Sequence, residues 1–303
     1  MSRGDLQLTD SPLGLLETHG SQVRLQVSPK TARVWLDESP IIRKSIETSA
    51  YPEQVWEALT DTELLGHWMA DSASGWLAVG GTLSLTWERF GMTIDYKVSE
   101  IKVCQKLVLK SPMGSGQQTV TFSLRRSGKS TWVDLSDAPA PFTPHNPHSS
   151  ADFNWSLSMA VLKLYVERYF RKARRSFMAV AKASFTFGEI MALYVSSQGL
   201  CHWLADKVEE WPSEYPLVGK PYRILSKNGD VMSGYIMAVT DKEAALSWDE
   251  INGFLELKTF SLGPGNQMLC LRGSGYGMDE ESCGLVEEGL KPRLLEMVDY
   301  LES

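Results

Sequence analysis

From Leu83 to Leu135 the chain alternates apolar and polar positions with a period of two. Leu83, Leu85 and Trp87 alternate with Ser84 and Thr86, Ile94, Tyr96 and Val98 with Asp95 and Lys97, and Val120, Phe122 and Leu124 with Thr121 and Ser123. One buried and one wet face per strand is the pattern of an antiparallel sheet. Ser127-Gly128-Lys129 supplies a turn before a further strand, Thr131 to Leu135. Upstream, Ile41 to Thr48 suits an opening strand, and Ala50-Tyr51-Pro52-Glu53 starts a helix with proline and an acid in its first turn. Beyond a stretch containing Pro139, Pro141, Pro144 and Pro147, the residues Trp155, Met159, Leu162, Val166 and Tyr169 recur at spacings of 4, 3, 4 and 3. That is the stripe of a long amphipathic helix. The predicted order is strand, helices, antiparallel strands, long helix.

The order then repeats. Leu65-Gly66-His67-Trp68-Met69-Ala70-Asp71 returns as Leu200-Cys201-His202-Trp203-Leu204-Ala205-Asp206, an offset of 135 residues. Val79-Gly80-Gly81 before one strand faces Val218-Gly219-Lys220 before another. A period this long is a duplicated domain and not a solenoid repeat. In the second copy, Ser176 to Ala183 reads as the opening strand, and Thr186 with Glu189 as a capping box. Tyr235–Val239, Ala244–Trp248, Phe254–Leu257 and Gln267–Leu271 read as strands. Val286, Leu290, Leu294, Met297 and Leu301 mark the closing helix. Pro292 inside that stripe predicts a kink, or a helix start near Lys291. The expected domains are 40–173 and 174–303. Before them, Gln22–Val27 and Ala32–Leu36 around Ser28-Pro29-Lys30 read as a β-hairpin in an extension over residues 1–39.

Composition narrows the function classes. At 303 residues the chain is comfortable for two cores. Its formal charge of −7 speaks against nucleic acid as a partner, since phosphate binding needs a basic surface. The opening residues show no apolar leader, and no apolar run reaches the length of a membrane span, so a cytoplasmic location is expected. Cys104, Cys201, Cys270 and Cys283 have no ligand spacing and read as buried free thiols. His145-Asn146-Pro147-His148 has no acidic or cysteine neighbour to complete a metal site, and no nucleotide, nucleophile-elbow or zinc-protease motif occurs. No cofactor and no metal are expected. Arg171-Lys172-Ala173-Arg174-Arg175 falls at a helix end, where cations are favoured, and reads as a solvated domain junction.

Three motifs carry a family resemblance: Ala50-Tyr51-Pro52-Glu53-Gln54-Val55-Trp56, Leu65-Gly66-His67-Trp68, and Val79-Gly80-Gly81-Thr82-Leu83, with Trp155 opening the last helix. The chain resembles the START-like (SRPBCC) superfamily of Bet v 1 helix-grip proteins, nearest to the activator-of-Hsp90-ATPase-homologue branch. The first copy matches over roughly residues 40–170. The second matches by order and by its His-Trp element, but has one glycine where the family has two and lacks the proline and tryptophan of the first helix. The resemblance implies an α+β chain of two tandem helix-grip domains, each a curved antiparallel sheet wrapped around a long C-terminal helix. It also implies an interior cavity for an apolar small molecule or lipid, and no shared catalytic set.

On that basis the candidate ligand-binding residues are Trp68, Trp87, Tyr96, Phe122, Trp155 and Met159 in the first copy, and Trp203, Tyr235, Trp248 and Phe254 in the second. The leading expectation is non-enzymatic binding of an apolar molecule. The rival is a protein-interaction module of the Hsp90-regulator type, with the stress-response role that such a link implies. A cyclase-like enzyme comes third, because it needs several polar groups converging in one pocket and parity places only Tyr96 inward. Glu256 and Lys258 share parity with Phe254 and Phe260: facing inward they would put an ion pair in the cavity, and facing outward they would be solvated.

Overall fold

The computed structural model describes residues 41–113, 116–138, 151–185, 187–213, 217–240, 242–263 and 266–303. The extension hairpin, the His145/His148 pair, the proline-rich stretch and Thr186 lie outside them. The described residues divide into two units between Lys172 and Ala173.

In the first unit β1 (Ile42–Thr48) leads to α1 (Pro52–Thr60) and α2 (Thr62–Trp68). Six strands follow: β2 (Ser72–Gly75), β3 (Thr82–Trp87), β4 (Met92–Lys102), β5 (Lys106–Met113), β6 (Gly116–Ser127) and β7 (Ser130–Ala138). The closing helix α3 (Ala151–Leu164) ends in a π-helical turn, Tyr165–Tyr169. The sheet is antiparallel in the order β1-β7-β6-β5-β4-β3-β2. The second unit repeats this with β8 (Arg174–Ala183), α4 (Phe187–Val195), α5 (Ser197–Trp203), β9 (Ala205–Glu210), β10 (Pro221–Ser226), β11 (Val231–Val239), β12 (Ala244–Trp248), β13 (Gly253–Gly263), β14 (Asn266–Tyr276) and α6 (Glu280–Glu302). Its sheet order, β8-β14-β13-β12-β11-β10-β9, is the same. Each unit is a helix-grip domain.

The offset of 135 holds at the level of single bonds. Asp61 caps α2 by accepting from the N–H groups of Glu63 and Leu64, and Ser196 caps α5 by accepting from Gly199 N–H. Such a cap contributes about 1 kcal/mol. Trp68 Nε1 donates to Ala58 O at 2.8 Å, and Trp203 Nε1 to Leu193 O at 3.0 Å. His67 lies against Tyr165 of the first closing helix and His202 against Tyr300 of the second. In each domain the His-Trp element therefore ties two short helices together and seats them on the closing helix. The glycine turns correspond too. Gly80 N–H donates to Val98 O while Val98 N–H donates to Gly81 O; Gly219 N–H donates to Ile236 O while Ile236 N–H donates to Lys220 O.

Two details depart from expectation. α6 runs unbroken through Pro292, capped at its start by Asp279, so the helix begins eleven residues before Lys291. Proline inside a helix costs about 3 kcal/mol. Leu290, Leu294 and Met297, all buried in the core of this domain, offset that cost. The thiols also divide: Cys270 and Cys283 are buried, whereas Cys201 is exposed and Cys104 partly so.

Candidate functional site

Cross-strand partners lie on the same face of a sheet, so the registers line up the two interiors residue by residue. One row of the first domain reads Val98, Leu109, Val120, Asp137, Ile42 across β4, β5, β6, β7 and β1. The glycine-turn bonds make Val98 the counterpart of Ile236, and the second row reads Ile236, Leu246, Leu255, Gly273, Phe177. One step along the strands, Ser111 pairs with Gln118 and Leu83 with Tyr96. Their counterparts are Trp248 with Gly253 and Tyr222 with Gly234. The first domain's inward polar residues Tyr96, Ser111, Gln118 and Asp137 thus become Gly234, Trp248, Gly253 and Gly273. On the closing helix the offset of 135 turns Trp155 into Leu290 and Met159 into Leu294.

These substitutions give the interiors different chemistry. In the first, Asp137 is 4% exposed and its carboxylate accepts from Gln118 Nε2 at 2.9 Å and from Trp155 Nε1 at 2.8 Å. The Trp155 indole meets the Phe122 ring edge-on at 6.1 Å. Burial, and then the charge of Asp137, push the Tyr96 phenol up to about 12. The carboxylate, the amide and the indole satisfy one another and pin the start of α3 to the sheet. Lys44 reinforces this through Asp152, at 2.8 Å.

In the second interior the Phe177 ring lies over Gly273, where a Cβ would come within 2.5 Å of it. Trp248 meets Phe177 edge-on at 6.5 Å. Between α6 and the sheet lies a cavity of about 400 Å³. The β10–β11 hairpin (Asn228, Asp230, Met232), the end of β12 (Trp248) with the 3-10 turn after it (Glu250, Ile251), and one side of α6 (Leu285, Val286, Gly289, Leu290, Arg293) line it. Leu290, which stands at the place of Trp155, is part of its wall. The hairpin is held in place by Asn228 Nδ2, which donates to Gly289 O at 3.1 Å, and by Ser226 Oγ, which accepts from the N–H groups of Asn228 and Asp230. Glu250 is spent on Ser233, accepting from its N–H and its hydroxyl. Arg293 Nη2 pairs with Glu296 at 2.8 Å. Trp248 Nε1 and Arg293 Nε, both buried, have no hydrogen-bond partner among the described residues.

Of the ten residues singled out from sequence, Tyr96, Phe122 and Trp155 gather around Asp137, with the buried Met159 one turn along α3. Trp248 lines the second cavity. Trp68 and Trp203 are buried ties between helices. Trp87 ends β3, half-buried beside Met92 on β4. Tyr235 and Phe254 alternate with the core residues Ile236 and Leu255, and so lie on the sheet face away from α6. Glu256 and Lys258 share that outer face, yet they are 0% and 5% exposed. Glu256 Oε1 lies 3.0 Å from Lys258 and Glu256 Oε2 2.5 Å from Arg272, with Glu243 3.5 Å from Lys258. The pair is neither in the cavity nor solvated. Burial raises the Glu256 carboxyl, but Arg272 and Lys258 outweigh it and hold the group below the ordinary glutamate value.

Sequence reading missed Gln118 and Asp137 by ending two strands at Val120 and Leu135. The alternation 118-120-122-124 and 131-133-135-137 continues through both. Arg293, three residues after Leu290, falls on the edge of the helical stripe, where only the cavity reveals its role. Among the described residues no cluster of His, Cys, Asp and Glu is arranged to hold a metal ion, and no helix is long and apolar enough to cross a membrane.

Two antiparallel sheets, each closed by a C-terminal helix, define a tandem helix-grip protein. Residues 49–167 match the family described as Activator of Hsp90 ATPase homolog 1-like protein, and the match ends within the first domain. Similar solved structures include the Aha1 dimer from Colwellia psychrerythraea (20% identity over 42% of this chain and 96% of that one, TM-score 0.39). DynU16, from the dynemicin biosynthetic locus, is 12% identical over 87% of this chain and 100% of its own, with a TM-score of 0.39. BexL, the di-domain ARO/CYC of the BE-7585A biosynthetic pathway, is 11% identical over 87% and 99%, with a TM-score of 0.41. None of the curated proteins compared with the chain matches it.

Proposed function

We propose that the protein binds an apolar small molecule or lipid, and that the second domain is the copy that holds it. The observation that carries this reading is the cavity of about 400 Å³ between α6 and the sheet, walled by Met232, Trp248, Ile251, Val286 and Leu290. Ligand pockets run from roughly 300 to 1,000 Å³, mostly apolar with a few placed polar groups. The first domain supports the contrast, because Trp155 and Asp137 occupy and satisfy the corresponding interior. The test is titration with Nile red, a neutral dye that brightens in apolar surroundings. Wild type is expected to take up one equivalent. Leu290→Trp, which gives the second domain the first domain's larger residue in the cavity wall, is expected to weaken uptake at least tenfold, measured at a temperature well below the variant's own melting transition. Unchanged uptake in Leu290→Trp would contradict the assignment.

A second reading rests on a different observation. Trp76 is 72% exposed and Val79 65% exposed, on the turn between β2 and β3 of the family-matched domain. The turn is braced by Trp76 N–H to Thr82 O, Ala78 N–H to Trp76 O and Gly81 N–H to Ala78 O. A rigidly presented tryptophan is the usual anchor of a protein interface, which fits a regulator of the kind that the family's description names. A pull-down from the native host with wild type and Trp76→Ala tests it. A stoichiometric partner lost in the variant supports the reading, and identical recoveries count against it.

A further inference from the structure

A cleft of about 400 Å³ opens in the second domain between α4, α5 and the end of α6, and shares no lining residue with the cavity between α6 and the sheet. Its wall includes Glu189 and Ala192 of α4, His202 of α5 and Tyr300 of α6. Through the offset of 135 these correspond to Gln54, Glu57, His67 and Tyr165 of the first domain. There the chain itself supplies a cation to them. Arg171, in the left-handed region at φ 64°, donates its N–H to Tyr165 Oη at 3.1 Å, and its Nη2 pairs with Glu57. The same guanidinium lies 5.6 Å from the Phe170 ring centroid. An arginine so placed gains an ionic hydrogen bond and a cation–π contact together. The second domain keeps the groups that receive such a cation. Its carboxylate stands one turn earlier on the helix: Glu189 replaces the glutamine of the first domain, and Ala192 replaces the glutamate. The tyrosine is retained and is open to solvent. Tyr165 is fully buried, whereas Tyr300 is 46% exposed and stacks on His202 with ring centroids 4.0 Å apart. Glu189 is the one acid lining the cleft, and no lysine or arginine lines it among the described residues. The charge and the aromatic ring therefore both favour a positively charged group.

We propose that this cleft is a separate binding site that takes a guanidinium group, with Glu189 as counter-ion and Tyr300 as aromatic wall. The group arrives on a small molecule or as an arginine side chain of a polypeptide, and the probes separate these sources. The experiment is an NMR titration of the full chain, read on the Tyr300 ring resonances, which are assigned through Tyr300→Phe. The probes are N-acetyl-arginine methylamide, n-propylguanidine and N-acetyl-citrulline methylamide; citrulline keeps the shape of arginine and removes its charge. Both guanidinium probes are expected to bind saturably with roughly millimolar affinity, as suits an exposed ion pair with a cation–π contact. The arginine probe should bind at least about threefold tighter than the citrulline probe. Tighter binding of the arginine probe than of propylguanidine assigns the site to a polypeptide arginine, and equal or weaker binding to a small guanidinium compound. Glu189→Gln should weaken the arginine probe about threefold. Ala192→Glu, which restores the first domain's acid at an exposed helix position, should tighten it by about as much and gives a reading should the first variant fail to fold. Equal binding of the arginine and citrulline probes overturns the guanidinium assignment. No movement of Tyr300 with any probe overturns the site itself, while Nile red uptake by the apolar cavity stands or falls separately.

Discussion

The two domains share an architecture down to single hydrogen bonds and differ in what fills it. In the first, an inward carboxylate on β7 is met by an indole on the closing helix and an amide on β6. In the second, the corresponding positions are Gly273, Leu290 and Gly253, and Trp248 at the end of β12 is part of a cavity wall instead. The features retained in both copies, the caps, the His-Trp element and the glycine turn, are those that build the fold. The features that differ line the interior. One copy is closed by its own polar contacts and the other has space to spare, which is why ligand binding is assigned to the copy that has drifted further from the family motif.

The largest expected effect breaks the second domain without touching its cavity. Glu256→Gln leaves Lys258 and Arg272 buried with a neutral partner and should cost about 3–5 kcal/mol, seen as a lowered melting transition of the second domain while the first melts unchanged. The same group sets an acid limit. Because its folded pKa lies below the ordinary value, its contribution is present above about pH 4.3 and is lost as pH falls through the folded pKa. In Glu256→Gln that part of the acid sensitivity should vanish from a pH series of urea melts. Next comes Gly273→Ala, which places a methyl 2.2 Å from Phe254 O and 2.5 Å from the Phe177 ring. It should destabilise the second domain by about 1–3 kcal/mol, whereas a small residue at position 137 of the first domain meets no such ring. Asp137→Asn should cost the first domain about 1–2 kcal/mol by weakening the charge-assisted bonds from Gln118 and Trp155, measured by urea denaturation, and should leave Nile red uptake intact. Trp76→Ala should change stability by no more than about 0.5 kcal/mol, since the side chain is exposed.

Much of this was legible in the sequence. Period-two alternation gave most strands, the stripe from Trp155 to Tyr169 gave the first closing helix, and the His-Trp repeat gave the duplication and its offset. The interior contrast was not legible, for two physical reasons. Facing residues are set by register and by bulges, such as the shifts after Val98 and Ile236, and these depend on bonds between strands far apart in sequence. Three of the four changed positions are also glycines, which leave no polar signature for a pattern to detect. Pro292 misled for a related reason: helix propensity is local, while Leu290, Leu294 and Met297 hold the helix through tertiary burial.

The central claim is that the second interior receives a ligand and the first does not. The indole N–H resonances of Trp155 and Trp248, assigned through Trp155→Phe and Trp248→Phe in 15N-labelled protein, report on both interiors in one spectrum. On addition of Nile red, the Trp248 resonance is predicted to move while that of Trp155, held by Asp137, stays in place. Movement of Trp155 with Trp248 unchanged would contradict the account and place the ligand in the first domain.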